Sequence, residues 1–332
     1  MVQDYKVSIG VPVYNVERYI QVCAESLFKQ TYKNIEYVFV DDCTPDNSIQ
    51  EILEIIKKYP DRAEQVKIIR NKLNSGVSYS RNVALLNMTG EYIVWVDPDD
   101  YVEPNMIELL VKEQYKTGAD IVTCGTFVHE RNGEVKIIEA SPFKSPKNMC
   151  VDLLSKKIPV SLWARLIRRK LHTEHNIYTK PGINCGEDFQ VMPLLAFFST
   201  RVSNVSIPLY HYNKTNINAY TYKFAENKCN QVYESFTILR EFFAKNKPEY
   251  IDIIDKTLLS ELCLQIFNCC LNNNYGYYKV LKHRIHKLDN KYSTELPVKD
   301  KILIILNPYI ITNVYVYIRF CFQKCLRLVK MS

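Results

Sequence analysis

Glycine is scarce in this chain, with 9 residues in 332, and the loops that depend on glycine are missing with it. No GxGxxG follows the first predicted strand and no GxxxxGK[ST] occurs anywhere, which argues against NAD binding and against P-loop phosphoryl transfer. The eleven cysteines are scattered and form no CxxC pair, so neither a disulfide scaffold nor a zinc site is predicted. They are typical of small buried side chains in a reducing compartment.

The positive charge of the chain is confined to one end. Residues 275–332 hold eleven Lys or Arg against three acidic residues, a formal charge of +8, and the whole chain carries +7, which leaves −1 for residues 1–274. An enzyme acting on nucleic acid is expected to be basic along its main cleft, so we predict no nucleic-acid partner. The first residues lead directly into a strand without a signal-peptide pattern, which predicts a cytoplasmic protein.

Strands and helices alternate along the first half of the chain. Apolar, β-rich runs predict strands at 7–13, 35–40, 66–69, 92–96 and 121–128, and helical periodicity predicts helices at 16–29, 49–59, 78–88 and 105–116. This alternation indicates βαβ units and an α/β fold with a mostly parallel sheet flanked by helices. Later the pattern is helical throughout, so we predict an α/β domain at 1–220 and a helical C-terminal region at 221–332.

Polar clusters follow three of the predicted strands. Pro12–Asn15 follow the first, Asp41 and Asp42 the second, and Asp97–Asp100 the fourth. The carboxyl ends of parallel strands form one edge of a sheet, where ligands bind. Carboxylates repel phosphates unless a divalent cation lies between them, and two aspartates one residue apart suit Mg²⁺ or Mn²⁺ shared with a diphosphate. The alternative for aspartates beside a proline is a simple Asx turn.

Five motifs in a fixed order carry a resemblance to a known family. They are Val11-Pro12-Val13-Tyr14-Asn15, Val40-Asp41-Asp42-Cys43-Thr44-Pro45-Asp46, Asn74-Ser75-Gly76 leading to Ser80-Arg81-Asn82, Trp95-Val96-Asp97-Pro98-Asp99-Asp100, and Gly186-Glu187-Asp188. Over roughly residues 5–215 the chain resembles a family 2 glycosyltransferase with the GT-A fold, of the bacterial surface-polysaccharide type. The resemblance implies a Rossmann-like catalytic domain that transfers a sugar from a nucleotide donor.

The resemblance also implies a donor site. The residues expected to bind the donor are Pro12, Tyr14, Asn15, Asp41, Asp42, Arg81 and Asp97. A carboxylate at Asp42 can accept the imide N–H of uracil and the ring of Tyr14 can stack on the base. The alternatives are a turn or helix cap for Asp42 and a core aromatic for Tyr14. Asp41 is expected to orient the loop or to pair with Arg81, and Arg81 to contact the diphosphate or a carboxylate unless it is a plain surface arginine.

The metal and the general base follow from the last two motifs of the family. Asp99 is expected to bind Mn²⁺ or Mg²⁺, with Asp97 directed to the ribose or the metal and Asp100 in support. Asp188 is expected to take the proton from the acceptor hydroxyl, supported by Glu187, in a direct displacement that inverts the anomeric configuration. The alternative for the Glu-Asp pair is helix capping, since acidic residues are common in the first turn.

Acceptor contacts are the least specific part of the resemblance. The segment Ser161–Arg168 resembles the W-N-K-L-Y-R region on the acceptor side, but Ala164 and Arg165 replace its Asn and Lys. Trp163 is predicted to stack on a sugar ring or to fill the core, and Arg165 to contact the acceptor. His211 is a candidate for a further contact with the acceptor, the metal or a phosphate.

The end of the chain combines positive charge with an apolar face. On a helical wheel the basic and polar residues of 310–330 fall on one side and the apolar residues on the other. This pattern is typical of a helix lying in the interface of an anionic membrane, which predicts a protein peripheral to the inner face of the cell membrane. The alternative is a terminal helix packed on its own domain or on a second subunit of a homodimer.

The function predicted from the sequence is an inverting, metal-dependent glycosyltransferase of the hexosyl or N-acetylhexosaminyl type. Its donor is expected to be a UDP-sugar and its acceptor a hydroxyl of a glycan or lipid-linked oligosaccharide in capsule or lipopolysaccharide synthesis. An inactive nucleotide- or glycan-binding relative within a synthase assembly is the first alternative. A sugar nucleotidyltransferase is the second, although it would need a Gly-rich basic loop after the first strand, where Pro12–Asn15 stand.

Overall fold

The computed structural model describes residues 4–140, 142–216, 219–220, 224–272 and 274–292. The chain divides into two units, Met1–Tyr222 and Lys223–Ser332. The predicted membrane-binding helix at 310–330 lies outside the described residues. None of the helices in the described ranges combines the length and the hydropathy that a membrane span requires.

The first unit contains nine strands and eight α-helices among its described residues. The strands are β1 Val7–Val13, β2 Ile35–Asp41, β3 Val66–Arg70, β4 Tyr92–Trp95, β5 Tyr101–Val102, β6 Ile121–His129, β7 Val135–Ile138, β8 Arg165–Arg168 and β9 Val202–Asn213. The helices are α1 Glu17–Phe28, α2 Ser48–Lys58, α3 Pro60–Ala63, α4 Val77–Asn87, α5 Met106–Thr117, α6 Pro146–Leu154, α7 Lys170–His175 and α8 Glu187–Phe198. Every strand and helix predicted up to residue 128 is present, with ends shifted by at most one residue.

All strands of this unit join one mixed sheet. Its order is β3-β2-β1-β4-β8-β6-β9-β5, with β7 paired to β6 at the side. β1 to β4 pair in parallel, whereas β8 runs antiparallel to both of its neighbours, so the expected parallel arrangement holds for the first half of the sheet. No strand was predicted at β5, β7, β8 or β9, because these segments carry no clean alternation of apolar and polar residues.

The centre of the sheet is buried on both faces. Every residue of β1 and of β2 is buried, as is typical of parallel strands that are covered on both faces. α1 covers the sheet with Ile20, Cys23 and Leu27, all fully buried. Because these strands are packed on both faces, the loops that follow the carboxyl ends of β1, β2 and β4 begin at well-defined positions.

The second unit is helical in its described residues. It consists of α9 Glu226–Asn246, a short 3₁₀ turn at Pro248–Tyr250, α10 Ile251–Leu271 and α11 Tyr275–Tyr292. α10 packs against both α9 and α11 and buries apolar side chains along most of its length. Arg240 of α9 donates to the buried carboxylate of Asp255 on α10 at 2.8 Å. The helical pattern predicted beyond residue 221 is therefore present as far as the structure describes the chain.

Candidate functional site

A cavity of about 1040 Å³ opens at the carboxyl ends of β1, β2 and β4. Ten of the fourteen residues that the sequence singled out line it: Pro12, Tyr14, Asn15, Asp42, Arg81, Asp97, Asp99, Trp163, Glu187 and Asp188. Asp41, Asp100, Arg165 and His211 do not. The edge of the sheet predicted to gather the polar clusters is thus the wall of a single cavity.

Arg81 of α4 connects the two acidic motifs in this cavity. Its side chain is only 4% exposed, and its guanidinium pairs with Asp97 at 3.0 Å, with Glu187 at 2.8 Å and with Asp188. Burial opposes the charge of this guanidinium, but the three carboxylates outweigh that effect and raise the pKa of Arg81. Of the roles predicted for Arg81, the contact with carboxylates is confirmed. The alternative interpretation of Arg81 as a plain surface arginine is wrong, because its side chain is buried.

Asp188 is held from two sides at the start of α8. One carboxylate oxygen accepts from Arg81, and the other accepts from the backbone N–H of Leu162 at 3.1 Å. Burial and the neighbouring charge of Asp97 raise the pKa of Asp188, although Arg81 acts in the opposite direction. Burial and Asp188 likewise raise the pKa of Glu187 to about 7. Both carboxyl groups therefore have a pKa above that of an exposed carboxyl group, which makes their ionised forms stronger bases.

The Asp-x-Asp motif follows β4, and its members differ in their environments. Asp97 pairs with Arg81, whereas the Asp99 carboxylate accepts from the side-chain amide of Asn216 at 2.9 Å. Burial and the adjacent Asp97 raise the pKa of Asp99 to about 6. Asp100 is buried away from the cavity and accepts from the Tyr210 hydroxyl and the Asn213 N–H, both at 2.7 Å. Asp100 thus anchors β9 to the motif, and its predicted support of a metal at Asp99 stays a prediction.

The donor set at this motif fits a divalent cation. Among the described residues, no group of three or more His, Cys, Asp or Glu side chains could hold a metal alone. Asp97 and Asp99 offer carboxylate oxygens, and Mg²⁺ is typically held by one or two carboxylates together with substrate phosphates. Burial and the adjacent Asp97 both disfavour the charged form of Asp99 and raise its pKa, and a bound cation would compensate that effect. An ion bound here would be completed by oxygen atoms of a ligand.

The loops after β1 and β2 form the opposite part of the wall. Tyr14 lines the cavity with an exposed ring, and the Asn15 N–H donates to the Thr44 hydroxyl at 2.8 Å, which joins the two loops. Asp42 is almost fully buried and accepts from the N–H groups of Ser75 at 2.9 Å and Gly76 at 2.7 Å, ahead of α4. Its turn-capping interpretation is therefore correct, and its contact with uracil stays a prediction.

Three predicted site residues point elsewhere, and these are corrections. Asp41 pairs with Arg70 at 3.4 Å, so its predicted pairing with Arg81 is wrong. Its other oxygen accepts from the Thr44 N–H at 2.8 Å and orients the loop, which is the other role predicted for it. Arg165 is buried and donates to the carbonyl oxygen of Pro159 at 2.6 Å, so it braces its own loop instead of facing an acceptor.

His211 is the third correction. It lies on the face of β9 opposite to Tyr210 and Tyr212, because side chains alternate along a strand. Its ring stacks between Tyr101 and Phe127, at centroid distances of 4.1 and 4.5 Å. The structure therefore does not bring His211 to the metal motif or to the cavity.

Several lining residues were missed by the sequence analysis. They are mainly Asn, Tyr and basic side chains from the β6–β7 turn, the loop before α8 and the end of β9: Glu130, Arg131, Asn132, Lys136, Asn184, Tyr212, Asn213, Asn216 and Tyr220. Trp163 stacks on Tyr210 at 4.8 Å and on Tyr212 at 5.2 Å, so it both packs and faces the cavity. Nothing local in the sequence marked these positions, since they become neighbours only in the fold.

Comparison with known proteins decides the family. The model of glycosyl transferase family 2 matches residues 8–174, which is 167 of the 332 residues. The chain belongs to glycosyl transferase family 2. The uncharacterized glycosyltransferase EpsJ of Bacillus subtilis (strain 168) is 34% identical over 188 residues, which cover 55% of this chain and 53% of EpsJ. The chain spans about half or less of the length of the first curated relatives it matches.

Solved structures support the same fold for this family 2 member. TarS 1–349 of S. aureus in complex with UDP-GlcNAc aligns with a TM-score of 0.59 at 20% identity, covering 88% of this chain and 93% of TarS 1–349. The mannosyltransferase PcManGT of Pyrobaculum calidifontis, in complex with GDP-Man and Mn²⁺, aligns with a TM-score of 0.52 at 15% identity, covering 90% of this chain and 78% of PcManGT. The α/β fold of the GT-A type predicted from the motifs is confirmed.

Proposed function

We propose that this glycosyltransferase moves a sugar, with inversion, from a UDP-sugar to a hydroxyl of a glycan or lipid-linked acceptor in bacterial surface-polysaccharide synthesis. One observation carries the proposal. Asp97 of the metal motif and Asp188 of the base motif meet on the same buried guanidinium of Arg81, in one cavity at the carboxyl ends of the strands. An inactive relative would have no need to keep these carboxylates crowded together, since buried carboxylates of like charge repel one another.

The choice of donor and metal is supported by proteins of the same fold. TarS was solved with UDP-GlcNAc and PcManGT with GDP-Man and Mn²⁺. Tyr14 presents an exposed ring on which a base can stack, at the end of β1. A cation held by Asp97 and Asp99 would neutralise the charge that develops on the departing diphosphate. Action at an anionic membrane surface is proposed from the basic C-terminal sequence alone.

Residues of this chain orient the carboxylate of Asp188, which receives the proton of the acceptor hydroxyl. Asp188 is fixed at both oxygens by Arg81 and by the Leu162 N–H, so its orientation is set before any acceptor binds. The acceptor hydroxyl donates to the Asp188 carboxylate as its oxygen attacks the anomeric carbon, and the nucleoside diphosphate leaves from the opposite side. Trp163 follows Leu162 directly and faces the cavity, where an aromatic surface can support a sugar ring.

The proposal is tested by the release of UDP from a panel of UDP-sugars in the presence of Mn²⁺. Wild type is expected to release UDP from one of them. Asp188→Asn is expected to lower that rate by about 10²- to 10⁴-fold, because an amide cannot take the proton. Asn retains the size of Asp, and its side-chain oxygen can still accept the Leu162 N–H.

The matched control is Asp61→Asn, the same chemical change on the exposed surface of α3. It should leave the rate at the wild-type value. Binding of UDP by a wild type that releases none from any UDP-sugar would point to the nucleotide-binding relative. Equal rates for wild type and Asp188→Asn would refute the assignment of the base.

A further inference from the structure

The wall of the cavity is divided by charge. The β6–β7 hairpin and the end of β9 contribute Arg131, Lys136 and Lys214 to the described lining, with Glu130 as the only carboxylate on that part. The rest of the described lining holds the cation of Arg81 and five carboxylates, at Asp42, Asp97, Asp99, Glu187 and Asp188. The hairpin part is thus positive and the part around the base is negative, although the residues up to 274 are almost neutral as a set.

Hydrogen bonds hold the basic part together before any ligand binds. The Arg131 Nε donates to the carbonyl oxygen of Lys214 at 2.9 Å, and the Lys214 N–H donates to the His129 carbonyl at 3.1 Å. The carboxylate of Glu130 accepts from Lys214 Nζ at 3.1 Å and lies 3.7 Å from Lys136 Nζ. Lys136 Nζ also lies 3.8 Å from the carboxylate of Glu134, so two carboxylates oppose the three cations Arg131, Lys136 and Lys214, which leaves one surplus positive charge at this place.

The position of this cluster separates it from the loops expected to bind the nucleotide. Those loops follow β1 and β2, whereas β6 is the third strand from β1 in the sheet, after β4 and β8. At about 4.8 Å per strand, β6 lies about 14 Å from β1 across the sheet. A ligand bound at the hairpin therefore lies near Tyr212, which pairs with Val128 of β6, and away from Tyr14 at the end of β1.

We infer that the hairpin cations bind a phosphate group of the acceptor, so that the acceptor is a phosphate-bearing saccharide or glycan rather than a neutral one. This inference rests on the proposed glycosyl transfer. An anionic acceptor is repelled by the carboxylates around Asp188 and attracted by Arg131 and Lys136, so its charged group lies on the hairpin while its hydroxyl points to the base. A guanidinium suits this task because its N–H groups match phosphate oxygens in pairs.

The test compares two probes on the full chain saturated with UDP and Mn²⁺, so that the donor's phosphate positions are filled. Glucose 1-phosphate carries the phosphate and methyl glucoside is its neutral counterpart. Calorimetry on wild type is expected to show about 10-fold tighter binding of glucose 1-phosphate. In Arg131→Ala/Lys136→Ala that preference should disappear, because one good charge-assisted contact corresponds to about a factor of 10.

Two controls separate this inference from loss of fold and from donor binding. Lys57→Ala/Lys116→Ala removes two exposed cations of α2 and α5 that do not line the cavity, and it should retain the wild-type preference. UDP affinity should stay within about 2-fold of wild type in both double variants, since the cations are assigned to the acceptor. Retained UDP affinity also shows that the hairpin variant is folded.

The inference is overturned if the two probes bind wild type equally, or if the hairpin variant retains the preference. It is also overturned if UDP abolishes glucose 1-phosphate binding or if the hairpin variant loses UDP affinity, because the cations then serve the donor. A wild type that binds no UDP would refute the proposed function instead. In that case the same titration without UDP still decides whether Arg131 and Lys136 bind phosphate.

Discussion

The two ends of the parallel strands treat buried carboxylates in opposite ways. At the amino ends, Glu36 of β2 is 3% exposed and is surrounded by donors. These are the hydroxyl of Ser8, the N–H and hydroxyl of Thr89, the N–H of Gly90 and the ammonium groups of Lys6 and Lys67. Burial alone would raise its pKa, but the hydrogen bonds outweigh burial and lower the pKa to about 2.

At the carboxyl ends the ratio of donors to carboxylates is reversed, since three carboxylates share the single guanidinium of Arg81. Burial and mutual repulsion leave the pKa of Glu187 at about 7 and that of Asp99 at about 6. A saturated carboxylate stabilises the fold and has little left to offer a ligand. An unsaturated cluster destabilises the apo fold and can bind a cation or take a proton, which is why shifted pKa values gather at functional sites.

The largest effect is expected from removal of the shared cation. Arg81→Met leaves three half-buried carboxylates without a counter-charge, and breaking a buried ion pair from one side costs about 3–5 kcal/mol. We expect the free energy of unfolding in urea to fall by about 4 kcal/mol, or the variant not to fold. Arg81→Lys keeps the charge but loses the forked geometry, so it should fold with an intermediate loss.

The control for this prediction is Arg70→Met. Arg70 also pairs with a buried carboxylate, that of Asp41, but its own side chain is 71% exposed and water can replace it. Arg70→Met should lower the free energy of unfolding by less than about 1 kcal/mol. Equal losses for the two Arg→Met variants would show that Arg81 does not balance the cluster.

The second prediction concerns the saturated end. In Glu36→Gln the charge is lost and an amide group faces N–H donors, so unfolding at pH 7 should need about 3 kcal/mol less. Because the folded pKa is depressed, the contribution of Glu36 is complete above its ordinary pKa of about 4.5 and is lost as the pH falls towards 2. The gap between wild type and variant should therefore close over that range.

Urea unfolding at several pH values measures that gap. Glu174→Gln, the same change on an exposed side chain of α7, serves as the control and should follow wild type throughout. A gap that stays constant down to pH 2 would contradict the assignment of a strongly lowered pKa to Glu36.

The sequence predicted the residues at the carboxyl ends of the parallel strands far better than those at the amino ends. Asp97 and Asp188 were recognised because each belongs to a motif, and the parallel strands place such motifs on one edge. Glu36 stands in the buried strand β2 with no motif, and its partners Ser8 and Thr89 lie 28 and 53 residues away. Hydrogen bonds between such distant residues are set by tertiary packing, which no local pattern records.

The same reason accounts for the misplaced and missed site residues. His211 belongs to β9, whose strand character carried no sequence signal, so the side on which it would lie was not predictable. Arg131 and Lys136 reach the cavity only because β7 folds back on β6. Motifs in strand–helix units were thus predictable, and long loops and antiparallel additions to the sheet were not.

The smallest predicted effect is the pH dependence of stability contributed by Glu187, which is opposite in sign to that of Glu36. The folded pKa of Glu187 is raised to about 7, so its contribution is most favourable below its ordinary pKa of about 4.5 and is lost as the pH rises through 7. In Glu187→Gln the side chain still accepts from Arg81 and no longer ionises. From pH 5 to pH 7, with EDTA present, the free energy of unfolding of wild type should fall by about 2 kcal/mol relative to this variant, whereas the contribution of Glu36 hardly changes over that range.

Urea unfolding at several pH values, with Glu174→Gln as the reference, checks this prediction. Parallel pH profiles for wild type and Glu187→Gln would mean that Arg81 already compensates all three carboxylates, and the two ends of the sheet would then differ in the number of donors but not in unsatisfied charge.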